Sequence, residues 1–451
     1  MWDRNGGIYF GYGVNATEGA GAREVGQQIR YVGDRHIMTI GPNGSGKSRR
    51  VLLPNIAILK DWSVVVVDPK GTLAQMTAAD RPGAVILNPF DTFGLASHGH
   101  NPVAALDPAS DDFPDDALGL AEAMIRVEGR EPHWASSAQD LVAALIMFSR
   151  LTQPGGGGLG HVRECLGRRY DEFRDTITNM IAVAKRKKCP ELAVKAGRYA
   201  EITDESRELN SILSTALTQT RWLDSRPIKR DLAKESVVDF ARLKQEPATV
   251  YLTFPARRLG THSTWLRVMI ASIIQPLMKD TSKPKVPVLL MLDEYPALAD
   301  GGFAVIEKNM AMFREYGIKL WTVWQDLSQA ERLYGKGWES FVANAGVLQS
   351  FAPQDVVTAE YLSKRMPLAA MSLEAVNRTL GGMTGPDPNR GSSHSTNTSL
   401  QGMPVMLPQH LRSMDEGVSV IFSHKTKGPM RSYFPYRLNG LEHIYARDPS
   451  G

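Results

Sequence analysis

The sequence predicts an α/β fold, a mostly parallel central sheet interrupted by an all-α insertion. Three observations carry this prediction. Continuous apolar runs such as Val64-Val65-Val66-Val67 and Val288-Leu289-Leu290-Met291-Leu292 read as parallel strands buried on both faces. A glycine-rich octet, Gly41-Pro42-Asn43-Gly44-Ser45-Gly46-Lys47-Ser48, lies between one such strand and a helical pattern. From about Asp107 to Asp231 strand signals fade and helical spacing of Ala, Leu, Ile and Met takes over.

Taken in order, the first ~35 residues, with Gly11, Gly13, Gly19 and Gly21, read as a strand-and-turn lead-in. His36–Ile40 is a short buried strand, and Arg49 to Leu59 a helix carrying Val51, Leu52, Ile56 and Leu59. Strands follow at Val64–Val67 and Ala84–Leu87. Helical patterns cover Ala117–Arg126, Ser136–Phe148, Tyr170–Ala184 and Arg207–Leu223, with a break at Gly155–Gly158. Strand character returns at Ala248–Thr253, Leu289–Leu292, Leu320–Trp324 and Gly346–Phe351. Gly381–Gly402, rich in Gly, Ser, Thr, Asn and Pro, reads as a mobile surface loop, and Val418–Phe422 as the last strand.

The octet fits G-x-x-x-x-G-K-[ST] and has the strand-loop-helix setting that pattern needs. Glycines let the loop wrap an anion with backbone N–H groups, and the helix start adds positive potential. Lys47 then reaches the β/γ-phosphates and Ser48 holds Mg²⁺. The reading makes residues 1–106 the first part of a nucleotide-binding domain, 107–231 an inserted all-α domain, and 232–451 the second part.

A second carboxylate-bearing strand end completes the expected chemistry. The run Val288–Leu292 leads into Asp293-Glu294, a Walker B form: Asp293 anchors the metal and Glu294 orients the attacking water. The insertion accounts for the ~245 residues between the two motifs. Asp68 and Lys70, in Asp68-Pro69-Lys70-Gly71, either line the phosphate region or form a plain strand-ending turn. Gln325 ends the strand after Walker B and could sense the γ-phosphate; Arg314, before that strand, could act across a subunit boundary. Periodicity alone leaves both open as ordinary surface groups. Lys185-Arg186-Lys187-Lys188 is either a solvated face or a phosphate-backbone contact. His133, Trp134 and Trp222 read as packing and rim residues.

Bulk properties set limits. With 451 residues, 43% apolar and 22% charged, the chain is an ordinary globular one. A net charge of +4 tolerates nucleic acid without diagnosing it. The two cysteines, Cys165 and Cys189, fit no zinc spacing and point to a reducing, cytosolic setting. No window approaches the ~18 consecutive apolar residues of a membrane span, and the N-terminus lacks a signal-peptide pattern. The expectation is a soluble chain.

In this order the motifs resemble one group, the type IV coupling proteins (TraG/TraD group) of conjugation and type IV secretion. The likeness runs from His36–Gly41 and Gly44–Ser48 through Val67–Gly71, Leu87-Asn88-Pro89-Phe90 and Asn101-Pro102. It continues through Trp134, Leu292-Asp293-Glu294-Tyr295, Arg314-Glu315-Tyr316-Gly317 and Gln325, covering roughly Ile8 to Tyr436. The resemblance implies a RecA-like P-loop NTPase domain with an inserted all-α domain, binding ATP and Mg²⁺. It also implies a homo-oligomeric ring, a hexamer on assembly, with sites at subunit interfaces. Lys47, Ser48, Asp293 and Glu294 take the Walker roles, Arg314 matches the arginine placed in trans, and Gln325 the strand-end glutamine. Partners would be a relaxase bound to single-stranded DNA, or effector proteins, together with inner-membrane secretion components at the cytoplasmic face.

Two departures stand out: many members carry membrane-spanning helices ahead of the nucleotide domain, and many have an acidic residue where this chain has Thr72. The expected function is an ATPase motor delivering such cargo. The alternatives are a cytosolic FtsK/HerA-like DNA translocase and a nucleotide-gated docking adaptor with little hydrolysis.

Overall fold

Along each buried strand, successive side chains enter two different cores, as a two-residue repeat requires. Val65 and Val67 join one core while Val64 and Val66 join the other; Leu290 and Leu292 are likewise split from Leu289 and Met291. Continuous apolar runs therefore mark a sheet covered on both faces. The computed structural model describes residues 6–14, 25–81, 83–127, 132–200, 206–299, 303–379, 393–423, 426 and 428–449.

The sheet begins with β1 (Ile8–Val14), β2 (Val25–Tyr31), β3 (His36–Ile40), β4 (Ser63–Asp68) and β5 (Val85–Leu87). It resumes with β6 (Thr249–Thr253), β7 (Val288–Leu292), β8 (Ile318–Trp324) and β9 (Ala345–Phe351). A separate ribbon, β10 (Leu368–Thr379) and β11 (Ser393–Pro404), precedes β12 (Val418–Ser423) and β13 (Met430–Tyr433). Spatial order in the large sheet is β2-β1-β13-β12-β9-β3-β8-β7-β4-β6-β5. The seven strands from β9 to β5 pair in parallel; β12, β13, β1 and β2 add an antiparallel margin.

Helices α1 (Leu53–Ile58) and α2 (Thr72–Thr77) cover one face. Between β5 and β6 the chain is helical: α3 (Phe113–Met124), α4 (Pro132–Thr152), α5 (Leu159–Leu166), α6 (Tyr170–Lys187), α7 (Pro190–Ala200), α8 (Arg207–Gln219) and α9 (Arg226–Leu232). The hub is α4, whose Leu141–Met147 stretch is wholly buried and which packs on α3, α5, α7 and α8. This block shares the second core with α10 (Leu259–Lys279), which joins β6 to β7 and packs on α3. Trp222 is buried and Trp134 packs partly buried on the same core, while Lys185 to Lys188 are exposed at the end of α6. Among the described residues, no helix is long and apolar enough to cross a membrane.

Two expectations need correction. Val418–Phe422 is not the last strand, because β13 follows and pairs with it. Its four residues include Arg431 and Ser432, so no apolar run announces it; Ser432 instead meets Ser419 at 2.8 Å within the sheet. The supposed loop Gly381–Gly402 is strand over 393–402. That segment is polar, but β11 is held by a backbone ladder to β10, from Leu368 opposite Pro404 to Thr379 opposite Ser393. Residues 380–392 lie outside the described residues.

One buried amide ties the sheet margin to the helix behind the glycine loop. Asn55 Oδ1 accepts from Tyr9 N (2.7 Å), and its Nδ2 donates to Tyr9 O (2.9 Å) and Val51 O (2.8 Å). Asn55→Ala strands the buried Tyr9 peptide groups, so it should destabilise the protein by about 2–3 kcal/mol. A denaturant midpoint indistinguishable from wild type would contradict this.

Candidate functional site

The glycine loop departs from β3, whose side chains are braced from both neighbours. Thr39 Oγ1 donates to Gln349 Oε1 (3.0 Å) and accepts from Trp321 Nε1 (2.9 Å). Gly41 N then donates to Trp324 O at 3.0 Å, fixing where the loop leaves the sheet. Gly44 and Gly46 sit at φ 80° and 82°, a region that disfavours side chains. At Gly46 an added Cβ would also lie 2.7 Å from Arg50 Cδ. Beyond it, Lys47–Leu52 winds as one π-helical turn into α1.

Parallel pairing brings the scattered motifs to one edge. Ile40 pairs with Trp324, Thr322 with Leu292, and Leu292 with Val67, so β3, β8, β7 and β4 end side by side. The residues emerging there are Gly41, Gln325, Asp293 and, ending β4 itself, Asp68. Ser48 Oγ donates to Asp293 Oδ2 at 2.7 Å, closing the space between the glycine loop and β7. Asp293 Oδ1 accepts from Glu294 N (3.2 Å), and Gln325 Nε2 donates to Glu294 Oε2 (3.1 Å). Lys47, buried, donates from Nζ to Gly41 O and to Pro42 O (3.0 Å).

Electrostatics follow from that crowding. Burial raises the Asp293 carboxyl above its ordinary range; the Ser48 hydrogen bond opposes this and the Glu294 charge adds to it. Burial lowers the Lys47 ammonium, with Glu294 and Asp293 pulling the other way. Asp68 is pushed up to about 7, chiefly by burial, against the hydrogen bond it accepts from Ala74 N (2.9 Å). Lys70 is exposed, and its charge acts on both Lys47 and Asp293, so it flanks the same space.

Glu294 occupies φ 56°, ψ 44°, a left-handed conformation rare for a non-glycine residue. Such strain costs on the order of 1–3 kcal/mol and clusters where side chains act. It turns the Glu294 carboxylate toward Gln325.

Arg314 is not brought to this cluster. It caps α12 (Ala304–Phe313), ahead of β8, whereas Gln325 follows β8; α11 (Tyr295–Leu298) is the short helix after Glu294. A seven-residue strand spans roughly 23 Å. Arg314 instead donates from Nε to Asp34 Oδ2 at 2.6 Å, both side chains more than half exposed (53% and 57%).

The pocket suits a polyphosphate and a hard cation. The buried Ser45 hydroxyl has no hydrogen-bond partner, and an added Cβ at Gly44 would meet nothing within 4 Å. Ser48 and Asp293 offer oxygen only, as Mg²⁺ prefers, with its other positions left to phosphate and water. Among the described residues no group of three or more His, Cys, Asp and Glu could hold a metal alone.

Sequence reading missed the grip on the two arginines after Ser48. Arg50 donates to Phe434 O (2.9 Å) and pairs with Glu416, while Arg49 pairs with Asp448. The Tyr436 ring lies 4.3 Å from the Arg49 guanidinium and 5.1 Å from that of Arg50. The consecutive arginines were visible in sequence, but their partners lie almost 400 residues away in Arg50's case (separation 384).

Residues 5–433 match the family described as Type IV secretory system Conjugative DNA transfer. The conjugal transfer protein TraG of Escherichia coli is 26% identical over 364 residues, covering 74% of this chain and 55% of that protein. The chain thus spans about half the length of that curated relative. The unbound bacterial conjugative coupling protein TrwBdeltaN70 superposes with TM-score 0.64 at 17% identity, covering 90% of this chain and 85% of its own. TrwB in complex with ADP and Mg²⁺ gives 0.63 at 16%, with 90% and 86% covered. The shared fold is a RecA-like P-loop domain carrying a helical block.

Because the folded Asp68 carboxyl titrates near 7 rather than at its ordinary 3.8, the native state keeps a proton that the unfolded chain has released. Stability therefore falls as pH rises from about 4 to about 7, at up to ~1.4 kcal/mol per unit, and levels off above. In metal-free buffer Asp68→Asn should escape that loss, so denaturant midpoints should diverge in its favour across this window. Parallel curves would mean that Asp68 ionises normally.

Proposed function

The chain belongs to the Type IV secretory system Conjugative DNA transfer family, and from that premise we propose that it is a ring-forming ATPase moving DNA toward a secretion channel. The observation that carries this is the 2.7 Å bond from Ser48 to Asp293, with Glu294 and Gln325 paired beside it. A switch that only binds nucleotide needs the cradle; the second carboxylate and its amide partner are what turnover needs. The cargo we favour is single-stranded DNA with its relaxase, and effector proteins are the second candidate class.

In this reading Lys47 leaves the Gly41 and Pro42 carbonyls to meet β- and γ-phosphate oxygens, and the Ser45 hydroxyl gains an acceptor. Ser48 and Asp293 would hold Mg²⁺, which neutralises charge on the phosphates when bound. Glu294 orients and polarises water, and Gln325 positions Glu294. Asp68 sets the edge of the pocket through α2, with Lys70 adding positive charge. Gly41, Pro42, Asn43, Gly44 and Gly46 supply the backbone cradle.

Arg314 precedes β8, whereas its own cradle lies at the far end of that strand. Its proposed role is therefore in the site of a neighbouring copy, which makes the ring, a hexamer in our proposal, part of the chemistry. The exposed bond to Asp34 is worth about 0–1 kcal/mol, so exchanging it for a phosphate on a neighbour costs little.

Lys47→Ala should abolish steady-state ATP hydrolysis, and sustained turnover by that variant would refute the site. Glu294→Gln should still bind a fluorescent ATP analogue while turnover falls by about 10²-fold or more. Wild-type rate per subunit should climb with protein concentration and with added single-stranded DNA, whereas Arg314→Ala should stay flat. Stimulation by duplex alone would favour a general DNA translocase.

A further inference from the structure

The cradle uses the carboxyl ends of β3, β8, β7 and β4. The ends of β4, β6 and β5 carry a different arrangement, which nucleotide chemistry does not require. After β5 the chain folds around Asn88, a fully buried side chain. Its Nδ2 donates to Thr92 O (3.1 Å) and Leu95 O (2.7 Å), and its Oδ1 accepts from Thr92 N (3.0 Å).

Within this braced loop Asp91 and Phe93 both take left-handed backbone, at φ 50° and 55°. A bulky side chain is an outlier in that region, and this one is 49% exposed. Its inner edge rests on Gly71, where an added Cβ would fall 2.9 Å from the ring. Gly71 closes the turn that begins at Asp68, so the ring touches the same turn that borders the cradle.

The surroundings are aromatic and cationic. Phe90, three residues before Phe93, meets Phe254 edge-on at 5.0 Å and carries the Arg258 guanidinium 4.5 Å from its ring centre. Arg258 Nε is buried without a hydrogen-bond partner. Arg257 and Lys70 are exposed, and Arg221 and Arg258 both act electrostatically on His262. The loop's own acid, Asp91, is exposed and lies within electrostatic reach of Asp231.

An exposed ring on a rigid loop, amid cations, matches a polyanion that presents flat faces. Unpaired bases present such faces, whereas a duplex hides them. We propose that Phe93, with the exposed cations Lys70 and Arg257 that follow the neighbouring strands β4 and β6, is a contact surface for single-stranded nucleic acid, one base stacking on the ring while the cations hold adjacent phosphates. The assignment rests on the motor reading above for its purpose, and the contact of Phe93 with Gly71 gives that surface a direct link to the nucleotide pocket.

The test is fluorescence anisotropy of a labelled oligothymidylate against wild type, Phe93→Gly, Phe93→Trp and Arg257→Ala. Binding of a fluorescent ATP analogue to the same samples reports on fold and cradle. Glycine suits the left-handed backbone, so Phe93→Gly removes the ring without adding strain. It should weaken oligonucleotide binding about tenfold or more, while Phe93→Trp keeps it. Arg257→Ala should weaken binding and make the log-log salt dependence shallower by about one. Unchanged affinity in both Phe93→Gly and Arg257→Ala, with nucleotide binding intact, would overturn the surface and leave the motor standing. Wild type binding no single strand, or binding blunt duplex equally well, would also overturn it. The motor itself is judged separately, by hydrolysis in wild type against Lys47→Ala.

Discussion

The hydrogen bond from Ser48 to Asp293 joins chain segments 245 residues apart, and much of the architecture is what that contact demands. For the two side chains to meet, β3 and β7 must run in parallel and end level, with β8 between them to bring Gln325 alongside. The helical block satisfies the same constraint. It leaves the sheet after β5 and re-enters at β6, and those two strands are neighbours. A long excursion thus returns to where it left, and the register at the pocket is undisturbed.

The pocket concentrates like charge. Asp68, Asp293 and Glu294 lie close enough to act on one another or on Lys47, and burial disfavours ionisation of both aspartates. Lys47, exposed Lys70 and the backbone N–H groups of the loop are the local counterweight. Such a site is poorly neutralised by protein alone, which is the condition under which a cation and an anion entering together are favoured.

The parallel half of the fold was legible because its strands are apolar on both faces and its catalytic-type residues follow immediately after those runs. Gly41–Ser48 and Asp293-Glu294 could be read on chemistry and spacing, without tertiary knowledge. The antiparallel margin was less legible, since β13 buries Ser432 against Ser419 rather than an apolar repeat. The ribbon of β10 and β11 was missed because backbone pairing leaves no trace in side-chain hydropathy. Contacts such as Arg50 with Phe434 and Arg314 with Asp34 link polar groups across large separations. No local pattern encodes them.

In the proposed mechanism, Glu294 is where fitness for action and fitness for folding part company. Its backbone angles suit glycine or asparagine better than a residue with a long side chain. Selection for heat resistance alone would therefore drift this position away from glutamate, and under the proposed mechanism the molecule so obtained would be hardier and idle. Keeping the carboxylate means accepting a standing conformational debt at the residue that receives the Gln325 hydrogen bond.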